Sequence, residues 1–356
     1  MTKPFKLCIL RLSAIGDVCH AAAMVNAVQI HRPDIEITWI IGKVEYSLLK
    51  HLPKVHFVVY DKKGGKAAKQ QVKAALSGTE FDALFVMQVA LRANLLSRLI
   101  KAKRRIGFDW HRSKELHSLF INERIEAQPH AHVLDGFMAF AHTIGVPKNA
   151  EISWSLRPSE QDEEWFRQTF STLRSHGENE NSHDLCPYVV ISPTASKAQR
   201  NWLPERYAEI ADYIKSKGFH VILCGGPGPL DASTRDAIIR YSPSISMDLV
   251  GKTSLLQMLC VLKHAELVLA PDTGPAHMAT TQGTKVIGLY AHSNPKRTGP
   301  YMSQSLVASV YEQCVEQQFG QSWENLPWGK RAKGDNLMAK IELEQVKQLV
   351  DEALKR

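Results

Sequence analysis

The chain has 356 residues, 44% hydrophobic and 22% charged, which is the balance of a soluble globular protein and more chain than one ordinary core needs. Forty-four Lys and Arg stand against 36 Asp and Glu, and the net charge of +8 favours polyanionic partners such as nucleic acid, phosphorylated sugars or anionic lipid. No targeting segment is evident, the longest apolar run, "ALFVMQVAL", is far short of the roughly 18 residues of a membrane span, and a cytoplasmic protein is expected.

In chain order, "FKLCILRL" reads as a short strand, "VCHAAAMVNAVQIH" has helical spacing, and "IEITWII" and "FDALFVMQ" are again strand-like. Strand and helix patterns that alternate in this way imply parallel strands with crossover helices. Over residues 174–187, "RSHGENENSHDLCP" gathers polar turn formers, as a linker or surface loop does. The same grammar then restarts with "YVVISP", "FHVILCGGPG" and "AELVLAPDTGPAHMATTQG". The expectation is an α/β protein of two Rossmann-like domains facing across a cleft: residues 1–175, residues 186–335, and a terminal helix over 340–356 packing back at the domain junction. Six cysteines are scattered with no C-x-x-C pair, and Cys8, Cys224 and Cys260 lie in apolar segments, so they read as reduced residues rather than disulfides or zinc ligands.

Three loops beyond predicted strands carry unusual polar content. In "SAIGD", Gly16 relaxes the backbone and Asp17 stands at the start of a helix. Its carboxylate fits two readings, a helix N-cap or a base that deprotonates a sugar hydroxyl. In "SPTASKAQRNW", the hydroxyls of Ser192, Thr194 and Ser196 with Lys197 and Arg200 would suit a diphosphate, although a solvated loop has a similar composition. In "PDTGPAH", the amides of a helix N-terminus beside Asp272 and His277 could bind phosphate or sugar hydroxyls, while Asp272 and Thr273 could equally be caps. The glycines of "CGGPGP" make a less specific signal, with Asp231 just beyond. No D-x-D and no Cys or His pair of ligand spacing is found, which disfavours a metal-dependent mechanism, and no G-x-G-x-x-G follows the first strand. Two basic stretches, one with Lys62, Lys63 and Lys66 and one with Arg104, Arg105, Arg112 and Lys114, fit either a solvated helix face or a seat for an acidic substrate.

In order and spacing these loops resemble the lipopolysaccharide heptosyltransferases, glycosyltransferase family 9. The S-x-x-G-D of that family is matched by Ser13, Gly16 and Asp17; its basic residue before a tryptophan by Arg200 and Trp202; its D-T-G-x-x-H by Asp272, Thr273, Gly274 and His277. "GFDW", "RSKELHSLF" and His132 are most similar to members that add the first heptose to Kdo, although Arg200 replaces their lysine and the acidic residue after the Gly-Pro turn is displaced to Asp231. The resemblance implies a GT-B fold and metal-independent, inverting transfer from ADP-heptose to a Kdo-lipid A type acceptor. The acceptor would lie at the cytoplasmic face of the inner membrane, with no cofactor and no nucleic acid involved. It makes Asp17 the general base. Thr194, Ser196, Arg200, Asp231, Thr253, Asp272, Thr273, Gly274 and His277 become donor contacts, and Ser13, Gly16, Lys62, Lys63, Lys66, Arg112 and Lys114 acceptor contacts. The alternatives are a heptose rather than a Kdo acceptor, or a GT-B nucleotide-sugar epimerase.

Overall fold

The computed structural model describes residues 3–173 and 185–355, so most of the polar stretch read as a linker lies outside the described residues. The chain divides into two compact units, Met1–Leu156 and Arg157–Arg356. In the first, six parallel strands, β1 (Phe5–Leu10), β2 (Ile35–Gly42), β3 (Val55–Tyr60), β4 (Phe81–Val86), β5 (Ala102–Gly107) and β6 (Glu123–Arg124), form a sheet in the order β3-β2-β1-β4-β5-β6. In the second, β7 (Tyr188–Ile191), β8 (His220–Leu223), β9 (Ile245–Asp248), β10 (Leu267–Pro271), β11 (Lys285–Tyr290) and β12 (Val307–Ser309) repeat it as β12-β11-β10-β7-β8-β9, again all parallel. Both orders are those of a Rossmann-like sheet, in which the winding reverses between the first and fourth strands.

The strand sequences explain this. Helices cover both faces of a parallel sheet, so its strands read as unbroken apolar runs rather than alternating ones. Leu7 to Leu10 of β1 and all four residues of β7 are fully buried. The loops at the carboxyl ends of β1 and β4 in the first unit, and of β7 and β10 in the second, therefore open at the points where ligands of such sheets bind.

The first unit ends earlier than residue 175. The helix Glu160–Thr169 is held by the second unit instead: Glu163 pairs with Lys263 at 2.6 Å and with His264 at 2.9 Å, and Phe166 stacks on the His264 ring at 4.6 Å. The terminal helix, Leu343–Ala353, also packs within the second unit. Tyr213 on the helix Pro204–Ser216 donates to Asp351 at 2.8 Å, while Val346 and Val350 join Trp202 and Tyr207 in the core. Trp202 itself is buried and its indole N–H donates to the Ile341 carbonyl at 3.2 Å, so this tryptophan ties the chain's end to the sheet.

Candidate active site

In the first unit the loop after β1 leads into the helix Ile15–His31. Ala14 is the N-cap and has no side chain to cap with; Asp17 lies three residues on, and its Oδ2 accepts the Ala14 N–H at 3.1 Å. Asp17 is therefore not the N-cap, although it does bond back to the helix start. The same Oδ2 is 2.5 Å from Nη2 of Arg11, a residue singled out by no motif. Arg11 is held in turn by donating to the Met87 carbonyl and by lying 5.2 Å from the Phe137 ring. Among the described residues both contacts of Asp17 fall on Oδ2, which leaves Oδ1 as the oxygen open to a proton.

Ser13 is placed by Gln88, beyond β4, whose amide nitrogen donates to the Ser13 hydroxyl at 3.5 Å while its oxygen accepts the Leu12 N–H at 2.9 Å. His20, one turn beyond Asp17, meets His132 edge-on at 5.2 Å, and His132 Nδ1 accepts the Leu134 N–H to cap the helix Val133–His142. The proposed acceptor cations divide. Lys62 is committed to buried Glu45 at 3.2 Å, and Arg112 to buried Asp109 at 2.6 Å, whereas Lys63, Lys66 and Lys114 are exposed. His117 is wholly buried; its Nε2 accepts the Phe108 N–H at 3.2 Å, so Nδ1 donates to Asn94 at 2.8 Å. Burial, then the Arg124 charge, pushes its pKa down to about 4. It is a neutral structural histidine that pins the segment after β5.

In the second unit the loops after β7 and β10 are joined. Thr273, the N-cap of the helix Gly274–Thr281, makes no side-chain cap bond; its hydroxyl donates to the Thr194 carbonyl at 3.2 Å. Arg200 Nη1 donates to the Asp272 carbonyl at 3.3 Å and stands 3.4 Å from Asp272 Oδ2, and His277 Nε2 lies 3.7 Å from Asp272 Oδ1. Burial alone would raise the Asp272 pKa, but His277, the Arg200 charge and the Ser293 hydroxyl outweigh it and hold the carboxyl below its ordinary value. Asp272 is thus a partly buried, ionised acceptor for hydroxyl donors.

The hydroxyls of Ser192, Thr194 and Thr253 are buried without hydrogen-bond partners among the described residues, a condition that bound polar ligand groups would relieve. Ser196 is exposed. Asp231 turns inward, its Oδ1 accepting the Gly226 N–H at 2.9 Å, and a side chain at Gly228 would stand only 2.8 Å from its Oδ2. In this structure it organises the glycine loop.

Sequence reasoning missed the neighbours of Asp272. A small concavity is lined by Asp272, Ser293, Asn294, Arg297, Lys330 and Arg331. Their signal was the cationic content of "SNPKRTGP" and "GKRAKG", two stretches about thirty residues apart that only the fold unites. The expectation that no Cys or His pair has ligand spacing needs correction as well. Cys260 and His264, one helical turn apart, come with Glu163 to within 4.8 Å of one another. Lys263 already neutralises Glu163, burial pushes the Cys260 thiol far up, and the cluster adjoins the amino end of β10, the opposite end from Asp272. It is a helix-to-helix link.

These geometries can be set beside known proteins. The model of glycosyltransferase family 9 (heptosyltransferase) matches residues 70–326. The chain is 44% identical to the lipopolysaccharide core heptosyltransferase OpsX of Haemophilus influenzae, over 96% of this chain and 95% of that one. It is 22% identical to lipopolysaccharide heptosyltransferase 1 of Escherichia coli, over 85% of this chain and 92% of the other. Among solved structures, a family 9 glycosyltransferase from Veillonella parvula superposes with a TM-score of 0.81 at 20% identity, covering 99% and 98% of the two chains. The E. coli heptosyltransferase WaaC with ADP gives 0.73 at 20% identity, covering 98% and 100%, and WaaC with ADP-2-deoxy-2-fluoro heptose gives 0.64 at 19%, covering 88% and 100%. The fold is that of these GT-B enzymes, two Rossmann-like units each built on one parallel sheet. With polar loops at the switch point of each sheet and a family match over most of its length, the chain belongs to glycosyltransferase family 9, the heptosyltransferases, and is a glycosyltransferase.

Proposed function

We propose that this chain transfers heptose from ADP-heptose to the Kdo region of the lipopolysaccharide inner core, with inversion at the anomeric carbon and without a metal ion, at the cytoplasmic face of the inner membrane. The observation that carries the chemistry is Asp17, a carboxylate at the first unit's switch point whose Oδ2 is fixed by Arg11 and Ala14, with no contact to Oδ1 among the described residues. As the acceptor hydroxyl oxygen attacks the anomeric carbon, its proton passes to Asp17, and the carbon–oxygen bond to the diphosphate breaks with the electron pair leaving on ADP. General-base help of this kind contributes about 100- to 10,000-fold. One displacement from the face opposite the leaving group inverts the centre. The acceptor is held by Ser13 and Gly16 and drawn by the exposed Lys63, Lys66 and Lys114, while Lys62 and Arg112 stay on Glu45 and Asp109.

The donor reading is supported by Arg200 and by the cations Arg297, Lys330 and Arg331 around the Asp272 concavity, which offer the charge stabilisation that a departing diphosphate needs. The Arg200–Asp272 contact is long enough at 3.4 Å for a phosphate oxygen to compete for the guanidinium. Asp272 then accepts heptose hydroxyls, while Thr194, Ser196, Asp231, Thr253, Thr273, Gly274 and His277 complete the donor contacts. The relatives named as lipopolysaccharide heptosyltransferases, and the WaaC structures with ADP and a fluorinated ADP-heptose, support this choice of donor.

The test is mass spectrometry and anomeric NMR of the product from protein, ADP-heptose and a Kdo-terminated lipid A acceptor, with and without EDTA. One added heptose of inverted configuration, unaffected by EDTA, is expected. Transfer only to a heptose-terminated acceptor would move the acceptor assignment, and an epimerised donor in the absence of acceptor would replace the reaction.

A further inference from the structure

Exposed large apolar side chains are concentrated in one part of the first unit. Leu91 (43% exposed) and Leu95 (47%) lie one turn apart on the helix Leu91–Ser97, and Leu116 (64%) and Leu119 (67%) flank the short turn His117–Phe120. The two elements are knitted together: the Leu91 N–H donates to the Glu115 carboxylate at 2.5 Å, and Asn94 Nδ2 donates to the Glu115 carbonyl at 3.1 Å. Asn94 also holds His117 at 2.8 Å, and Arg98 lies 5.0 Å from the Phe120 ring. A scatter of single exposed leucines would need no explanation, but four on two interlocked elements form an apolar cap left uncovered by the described residues.

The surroundings of the cap are cationic. Residues 91–120 hold eight Lys and Arg against two Asp and Glu, a surplus of six in a chain whose whole surplus is eight. Of these, Arg92, Arg98 and Lys114 are exposed around the cap; Asp109 is buried against Arg112, which leaves Glu115 as the one exposed carboxylate of the stretch. Trp110, 71% exposed with the Arg124 guanidinium 3.7 Å above its ring, adds an amphipathic aromatic of the sort that settles at headgroup level.

We infer that this face, Leu91, Leu95, Leu116 and Leu119 with Arg92, Arg98, Lys114 and Trp110, is where the protein docks on an anionic lipid surface. Charge decides the occupant. A second copy would set the same cations against one another, whereas anionic headgroups answer them while the leucines enter the acyl boundary. No helix is long and apolar enough to cross a membrane among the described residues, so docking of this kind lies on the bilayer and does not span it. The helix Leu91–Ser97 and the segment after β5 both leave the carboxyl edge of the sheet, the edge that carries Asp17. On the reading of a lipid-borne acceptor proposed above, docking here brings that acceptor to the catalytic edge.

Flotation of the full chain with vesicles of phosphatidylethanolamine and phosphatidylglycerol, and with phosphatidylcholine alone, tests it directly. Binding to the anionic vesicles is expected to be at least about tenfold tighter and to weaken with salt. Leu116→Ser with Leu119→Ser is expected to lose about tenfold in vesicle affinity while keeping its turnover on a delipidated, water-soluble acceptor, and Arg92→Glu with Arg98→Glu to lose the anionic preference. Equal binding of the leucine variant and the parent overturns the proposal, as does failure of the parent to float. A parent that dimerises in solution through these leucines, read by light scattering of parent and variant, assigns the face to a second copy and also overturns it. Vesicle binding needs no turnover, and turnover on the soluble acceptor needs no vesicle, so failure of the docking face is distinguishable from failure of the proposed reaction.

Discussion

Each unit places an arginine–aspartate pair at its switch point, and the two pairs differ in the way their proposed tasks require. Arg11 and Asp17 touch at 2.5 Å, with side-chain exposures of 12% and 32%. Arg200 and Asp272 stand 3.4 Å apart, at 17% and 15%. In the first pair the arginine is the buried partner and fixes one oxygen of an accessible carboxylate, an arrangement for accepting a proton. In the second the carboxylate is enclosed, kept ionised by His277, Arg200 and Ser293, and loosely coupled to its arginine, an arrangement for holding hydroxyls while the guanidinium is shared. On the proposed reading, the same residue pair on the same fold serves as a base or as an anchor according to burial and distance.

The largest expected effect bears on the first pair. Asp17→Asn keeps an oxygen to accept the Ala14 N–H, so the helix start should be spared, but it removes the proton acceptor and the counter-charge of Arg11; kcat should fall at least about 100-fold with ADP affinity unchanged, in a variant that still folds at a somewhat lower melting temperature. Full activity in the folded variant would erase the distinction between the two carboxylates.

A second effect separates the units by pH. His117 in the first unit has a folded pKa of about 4, below its ordinary 6.5, so the unfolded chain binds its proton first. Its contribution is present above about pH 6.5 and is lost as pH falls towards 4, at most about 3 kcal/mol. Glu163 in the second unit works in a lower window. Burial would raise its pKa, but the bonds from Lys263, His264 and Cys260 bring it down to about 2, so its contribution is lost between about pH 4.5 and 2. Melting temperature against pH should therefore flatten between 6.5 and 4 in His117→Gln, and only below 4.5 in Glu163→Gln; the reverse assignment would contradict both environments.

Next in size, Arg200→Ala should weaken ADP binding about 10- to 100-fold, the value of a charge-assisted hydrogen bond, with little change in acceptor KM. If acceptor KM moved and ADP affinity did not, the second pair would not be a donor anchor. The smallest effect is on the exposed lysines. Lys63→Ala with Lys66→Ala should raise acceptor KM a few-fold, about two to five, and flatten its salt dependence without altering stability. Lys62→Ala should instead lower the melting temperature, because it strands the buried Glu45 carboxylate.

Much of this was legible in the chain itself. The apolar runs and their alternation with helical spacing fix two parallel-sheet units, because strands covered on both faces must be apolar throughout. The motifs around Asp17, Arg200 and Asp272 are local, each within a few residues, and so could be read and matched to a family. Tertiary structure alone decided which groups meet across many residues: Arg11 with Met87, Ser13 with Gln88, Thr273 with Thr194, and Arg297 with Lys330 and Arg331 around Asp272. It also sorted charges that look alike in sequence, committing Lys62 and Arg112 to buried carboxylates, leaving Lys63 and Lys114 in water, and turning Asp231 onto its own loop. The physical reason is that residue type sets what a group can do, whereas burial and the partner within about 4 Å set what it does, and in a parallel sheet those partners arrive from crossovers tens of residues apart.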